Sequence, residues 1–106
     1  MDDDITLLTS ITAVDDDGFE KKEESKSEIF GKVTDTKRSE FYQALAEGIK
    51  ATKTIQIFKD DYEDACVVVN KKKKIPTKVI CNGETYKIER TYGVSDDVLE
   101  LICSEV

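Results

Sequence analysis

The chain predicts a mostly β fold: a small β-barrel or sandwich of about six to eight short strands with one short inserted α-helix. Three observations carry this. Short stretches rich in β-branched residues recur between turn signals, as at Ile5 to Thr12, Thr54 to Lys59 and Val98 to Cys103. Asn82-Gly83 stands between two apolar runs, the strongest short hairpin signal, and calls for a two-residue turn with positive φ at both positions. Only one segment changes to helical spacing, with Phe41, Ala44, Leu45, Gly48 and Ile49 on one stripe.

In chain order, Ile5 to Thr12 reads as a strand and Asp15-Asp16-Asp17-Gly18 as a turn. Phe19 to Lys26 is highly charged and is read as an exposed hairpin partner. Glu28 to Thr34 is a short strand with Ile29, Gly31 and Val33 on one face and Phe30 and Lys32 on the other. The helix is expected at 39–48, capped by Ser39, with Glu40 in its first turn and Gly48 as its stop. It should pack through Phe41, Leu45 and Ile49, leaving Arg38, Glu40, Tyr42 and Glu47 on its open side. Thr54 to Lys59 alternates, with Ile55 and Ile57 on one side, and Asp60 to Asp64 reads as an acidic loop. Ala65 to Asn70 is a Val-rich strand, and Lys71, Lys72, Lys73 and Lys74 form a cationic loop before Ile75-Pro76. Thr77 to Cys81 and Glu84 to Arg90 flank the Asn-Gly turn, and Val98 to Cys103 is the closing strand, with Leu99 and Leu101 facing one way. The 106 residues read as one domain, 1–106, with a loose acidic arm at 1–4.

Charge and residue usage narrow the function. The chain holds 16 Lys plus Arg against 23 Asp plus Glu, a formal net charge of −7, which excludes a uniformly basic nucleic-acid footprint. The excess lies in residues 1–30. The sequence has no His, so the commonest general base and metal ligand are both absent. Cys66, Cys81 and Cys103 form no Cys-x-x-Cys pair and read as reduced, mostly buried thiols of a cytoplasmic protein. Asp60, Asp61, Glu63 and Asp64 are the only plausible catalytic material, as oxygen ligands for a divalent cation, but they lack the spacing of a calcium-binding loop. No enzyme activity, metal, cofactor or membrane span is expected.

The string RSEFYQALAEGI at 38–49 follows SEIFGKV at 27–33 and precedes TIQIF at 54–58. With ITLLT at 5–9, DDDG at 15–18, KDDYED at 59–64, CNGETYKIERTY at 81–92 and VLELICSE at 98–105, it resembles the tailed-phage head–tail joining family, also called head-closure, head-completion or stopper proteins. The blocks lie in order over nearly the whole chain. One stretch departs from the pattern: Cys66 to Thr77 is longer than the resemblance leads one to expect, as an extended hairpin peculiar to this chain would be.

The resemblance implies a structural virion protein, assembled in the host bacterial cytoplasm. It would form a ring, typically dodecameric, between the portal-bound adaptor and the tail or its terminator protein. That ring closes the DNA-filled head and offers the tail its docking surface. The expected partners are therefore further copies of the chain, the adaptor, the tail and, without sequence preference, packaged DNA. Asp2, Asp3 and Asp4, together with Arg38, Glu40, Tyr42 and Glu47, are the candidate interface residues. Lys71 to Lys74 guard a strand edge in a lone subunit; in a ring they face either the channel or, the preferred reading, an acidic neighbour. The connections near 35–38 and 49–53 are candidates for moving gate segments. A stand-alone barrel module for nucleic acid or peptide is the alternative, with a metal-dependent enzyme at Asp60–Asp64 behind it.

Overall fold

The computed structural model describes residues 2–14, 16–69 and 71–106. Asp15 and Asn70, both assigned above to a turn or a strand end, lie outside the described residues. The elements are β1 (Asp3–Val14), β2 (Glu20–Asp35), α1 (Arg38–Ala46), β3 (Ala51–Phe58), α2 (Lys59–Ala65), β4 (Val67–Val69), β5 (Lys72–Lys74), β6 (Lys78–Cys81), β7 (Glu84–Gly93) and β8 (Val98–Glu105). Six of the strands close into an antiparallel barrel in the order β1-β2-β3-β8-β7-β6, with β6 returning to β1. The expected mostly β barrel with an inserted helix is the fold observed; β4 and β5 form a separate two-stranded sheet, and a second short helix is added.

Alternation builds the core. Ile5 and Leu7, Ile55 and Ile57, Val79 and Cys81, and Leu101 and Cys103 turn inward from β1, β3, β6 and β8, and all are buried. Ile29 and Val33 from β2 and Ile88 and Leu99 from β7 and β8 pack against them. Gly31 sits where β1, β2 and β3 crowd together: a Cβ there would stand 2.9 Å from the Gln56 carbonyl oxygen and 3.0 Å from side-chain atoms of Ile5 and Ile57. The β6–β7 turn is as expected, with positive φ at Asn82 and Gly83 (53° and 77°).

Two short stretches that looked separate form one long strand. Phe19 to Lys26 and Glu28 to Thr34 were expected as distinct pieces, but β2 runs unbroken from Glu20 to Asp35 in register with β1, from Asp3↔Gly31 to Val14↔Glu20. The barrel uses only part of this ribbon: β6 pairs with Ile5 to Leu8, and β3 pairs with Gly31 to Asp35. From Thr9 to Val14 and Glu20 to Ser25 the two strands pair only with each other, so the hairpin extends about 20 Å past the ladder. It accounts for a long axis of 50 Å against 29 and 26 Å.

Of the loose arm expected at 1–4, Met1 lies outside the described residues, and the part from Asp3 on is ordered as strand. Asp3 and Asp4 open β1, opposite Gly31 and Phe30, and the Val33 backbone N–H donates to Asp3 Oδ2 at 2.9 Å. Backbone pairing outweighs the mutual repulsion of the carboxylates, which remain exposed to solvent and its screening.

Helix α1 lies outside the barrel, over β3 and β8. It starts one residue earlier than expected: Lys37, without a side-chain cap, holds the N-cap position instead of Ser39. It ends at Ala46, two residues short of the expected 48, with Gly48 supplying the stop as the sequence indicates. Gly48 takes φ 82°, its N–H donates to the Leu45 carbonyl, and the Ile49 N–H donates to the Ala44 carbonyl, the double bond of a Schellman stop. The packing face differs from expectation. Ala44, Ala51 and Ile102 form a small buried outer cluster with Ile49 beside it, whereas Phe41 is half-buried and Leu45 is exposed. The small Ala44 side chain allows close approach to Ile102, so the stripe rotates about it.

Candidate functional site

The lysine run is a strand rather than a loop. Lys72 to Lys74 are β5 and pair in register with Val69 to Val67, while Lys71 occupies the turn with φ 65°. Alternation then divides the four charges, because neighbouring residues on a strand face opposite ways. Lys73 stands across from the exposed Val68 and donates from Nζ to Glu63 Oε2 at 2.6 Å. That contact raises the Lys73 pKa, first through the hydrogen bond and then through the carboxylate's charge. Lys71, Lys72 and Lys74 are exposed and make no ion pair with a described residue.

Glu63 belongs to α2, which replaces the expected acidic loop at Asp60–Asp64. A one-sided apolar stripe decides this. Tyr62 and Ala65 lie three apart on the helix and enter the barrel end from which the β1–β2 hairpin emerges, leaving Asp60, Glu63 and Asp64 exposed. The hydroxyl of the fully buried Thr9 donates to the Ala65 carbonyl at 3.0 Å and ties the helix end to β1. Burial raises the Tyr62 and Cys66 pKa values, and the Cys66 thiol donates to the Tyr62 carbonyl. Among the described residues, no three His, Cys, Asp or Glu side chains gather where they could hold a metal ion. No helix among those residues is long and apolar enough to cross a membrane.

The four candidates, three on α1 and Glu47 at its C-cap, separate into two pairs. Arg38 lies over the Tyr42 ring at 5.8 Å from its centroid, and Tyr42 is 55% exposed. These two project outward. Glu47 turns toward the barrel instead, its Oε2 2.9 Å from Arg90 Nη2 on β7. That ion pair is too bent to be a hydrogen bond, so Nη2 remains without one, as do Arg90 Nε and Glu40 Oε1, both sequestered from solvent. Arg90 Nη1 donates to the Tyr92 hydroxyl at 3.0 Å, and this bond is the main cause of its raised pKa. Arg90 is thus the central cation of the contact between α1 and the sheet.

The connections flanking α1 are tied together. The Thr36 N–H donates to the Thr52 carbonyl, and Lys53 Nζ donates to Asp35 Oδ1 at 2.6 Å. The Lys53 hydrogen bond and charge hold the Asp35 carboxyl below its usual pKa. Two features are not marked by the sequence. Nothing local identifies Arg90, on a strand, as the partner of a distant helix. Phe30 and Phe58 were assignable to the outer face by alternation, but their alignment needs the β2–β3 register. One step beyond the Gly31↔Ile57 pair they stand side by side, 59% and 46% exposed.

No protein-family model matches the chain, and no curated protein matches it significantly.

Proposed function

We propose that the chain is a structural protein of the phage head–tail connector, a ring subunit that closes the filled head and receives the tail. The observation that carries this reading is how the resembling blocks fall on the fold. RSEFYQALA makes up α1, TIQIF lies in β3, CNGETYKIERTY spans the β6–β7 hairpin, and VLELICSE is β8. Each block therefore supplies a distinct part of the fold, either strands of the barrel or the helix that lies over it. The stretch that departs from the pattern contains the β4–β5 hairpin, which stays outside the barrel ladder. An insertion tolerated at the surface of a retained scaffold takes this form.

In this reading Lys71, Lys72 and Lys74 serve an acidic neighbour or the packaged DNA, and Lys73 is committed to Glu63. The test uses phage heads made without the protein. Added protein should restore DNA retention and tail joining; heads that retain DNA and join tails without it overturn the proposal. Replacing Lys71, Lys72 and Lys74 by Gln then assigns the hairpin. Salt-sensitive DNA leakage places it at the channel, and normal retention with defective attachment places it at a protein interface.

A further inference from the structure

The outer face of the β2-β3-β8-β7 sheet is covered at one end and bare at the other. At the covered end α1 lies over Ala51 and Ile102. At the bare end, Phe30 on β2, Phe58 on β3 and Val98 on β8 stand in one cross-strand row, Phe58 directly opposite Val98. Val94 continues the row, 53% exposed, its N–H bonded to the Val98 carbonyl at 2.9 Å. Inward residues alternate with these: Gly31, Ile57, Leu99 and Gly93 are their barrel-side neighbours. Three apolar side chains on adjacent strands, with Val94 just past the end of β7, form a patch, unlike a lone exposed Leu, and such patches mark interaction sites.

The charges around the row have one sign in excess. Asp4 pairs across from Phe30, Glu28 follows on the same outer face, and Asp96 and Asp97 occupy the turn entering Val98. Of the two nearby cations, Lys59 directs its ammonium toward Gly93 of its own subunit, and Lys32, two residues from Phe30 on the same outer face, stands beside Gln56 and leaves the acids of the rim in excess. Helix α1 carries the complement. Tyr42 and Leu45, i and i+3 on its outer side, are 55% and 41% exposed. Lys37, Arg38 and Lys50 flank them, while Glu47 is drawn away to Arg90.

We infer that the outer side of α1, centred on Tyr42 and Leu45, docks on the Phe30–Phe58–Val98–Val94 row of a second copy of this chain. The two patches cannot meet within one subunit, because Ala44 fixes α1 over Ile102, about 13 Å along β8 from Val98. Different surfaces meet in this contact, so it is head-to-tail and propagates from copy to copy until a ring closes. Acidic rim and basic flank then face each other and set the register, with the apolar row excluding water between them. The inference assigns a subunit contact to the ring of the proposed function and rests on that reading for its biological role.

Sedimentation velocity of the purified chain over a concentration series tests it. The parent protein should associate, more weakly as salt rises. A row variant, Phe30→Ser with Phe58→Ser, and a helix variant, Tyr42→Ser with Leu45→Ser, should each weaken association at least tenfold. Both pairs are surface residues, and circular dichroism checks that the barrel is intact. Mixing the two variants should restore dimers and nothing larger, since each supplies the surface the other lacks. A parent that stays monomeric throughout, a variant that associates like the parent, or a mixture that stays monomeric overturns the inference. Ring formation by both variants on phage heads overturns it while leaving the proposed function standing. Self-association through these faces by a chain that never joins heads overturns the function and leaves the contact.

Discussion

The strands β1 and β2 pass through two environments without a break, and the contrast separates what makes this fold stable from what makes it available. Between Ile5 and Leu8, β1 has β2 on one side and β6 on the other, and Ile5 and Leu7 are buried in the core. Between Thr9 and Val14 it has only β2 in register, and the facing residues Glu20 to Glu24 are exposed whichever way they point. A two-stranded ribbon alone is marginally stable in water. The hairpin is therefore held by the barrel at its root, where Thr9, Ala65 and Tyr62 meet. Stability is concentrated where strands have two neighbours, and charge where they have one.

Changes at the barrel half should have the largest effects. Leu101→Ala should cost about 2–5 kcal/mol in denaturant unfolding, since Leu101 is fully buried at the centre of β8. A cost below 1 kcal/mol would mean the barrel interior is not the principal core. Gly31→Ala should follow at about 1–3 kcal/mol, because the new methyl meets the Gln56 carbonyl oxygen, a backbone atom that cannot swing aside. At the root of the hairpin, Thr9→Val should cost about 1–2 kcal/mol by leaving the Ala65 carbonyl without its donor. Hydrogen exchange in that variant should quicken in α2 and the hairpin before the rest of the barrel.

Alkaline pH offers a chemical version of the same contrast. Burial pushes the Cys103 thiol up to about 12, and donation to Glu84, with burial second, pushes the Tyr86 phenol up to about 12. Both groups are neutral when protonated, and their folded pKa values exceed the ordinary 9.0 and 10.0. Their contribution is therefore complete below pH 9 and is lost as pH rises from 9 toward 12. Chemical denaturation across that range should show falling stability, and Cys103→Val should flatten the decline. An unchanged slope in that variant would remove the thiol from the account. The smallest effect belongs to the ribbon: Lys22→Ala with Glu24→Ala should move the melting midpoint within the range of ordinary surface changes, about 0.5 kcal/mol or less. A larger loss would show that the ribbon's charges stabilise the fold itself.

Local signals are legible where one residue type meets one backbone demand. Asn82-Gly83 specifies its turn because few residues accept positive φ twice in succession, and Gly48 stops α1 for the same reason. Alternation identifies Ile55 with Ile57 and Leu99 with Leu101 as inward pairs before any partner strand is known. Among the candidate interface residues, exposure on α1 is readable for Tyr42, whereas the commitment of Glu47 to Arg90 is not, since the partners lie 43 positions apart (90 − 47).

What the sequence determined by itself is therefore the inventory: period-2 strands, one amphipathic helix, the turn residues, and an acid excess in the first third. Tertiary structure alone decided three things. Residues 60–64 have charges that suit a loop or a helix equally; burying Tyr62 and Ala65 in the barrel end selects the helix. Lys72 to Lys74 have no strand preference of their own, and pairing with Val67 to Val69 makes them one and turns Lys73 toward Glu63. The barrel closes through β1 and β6, roughly 70 residues apart, and this same register leaves Thr9 to Val14 without a second neighbour. The physical reason is common to all three. Backbone preferences act over a few residues and amount to a fraction of a kcal/mol to about 1 kcal/mol each. Burial against a distant strand contributes more than that, and only the assembled fold shows which strand is near.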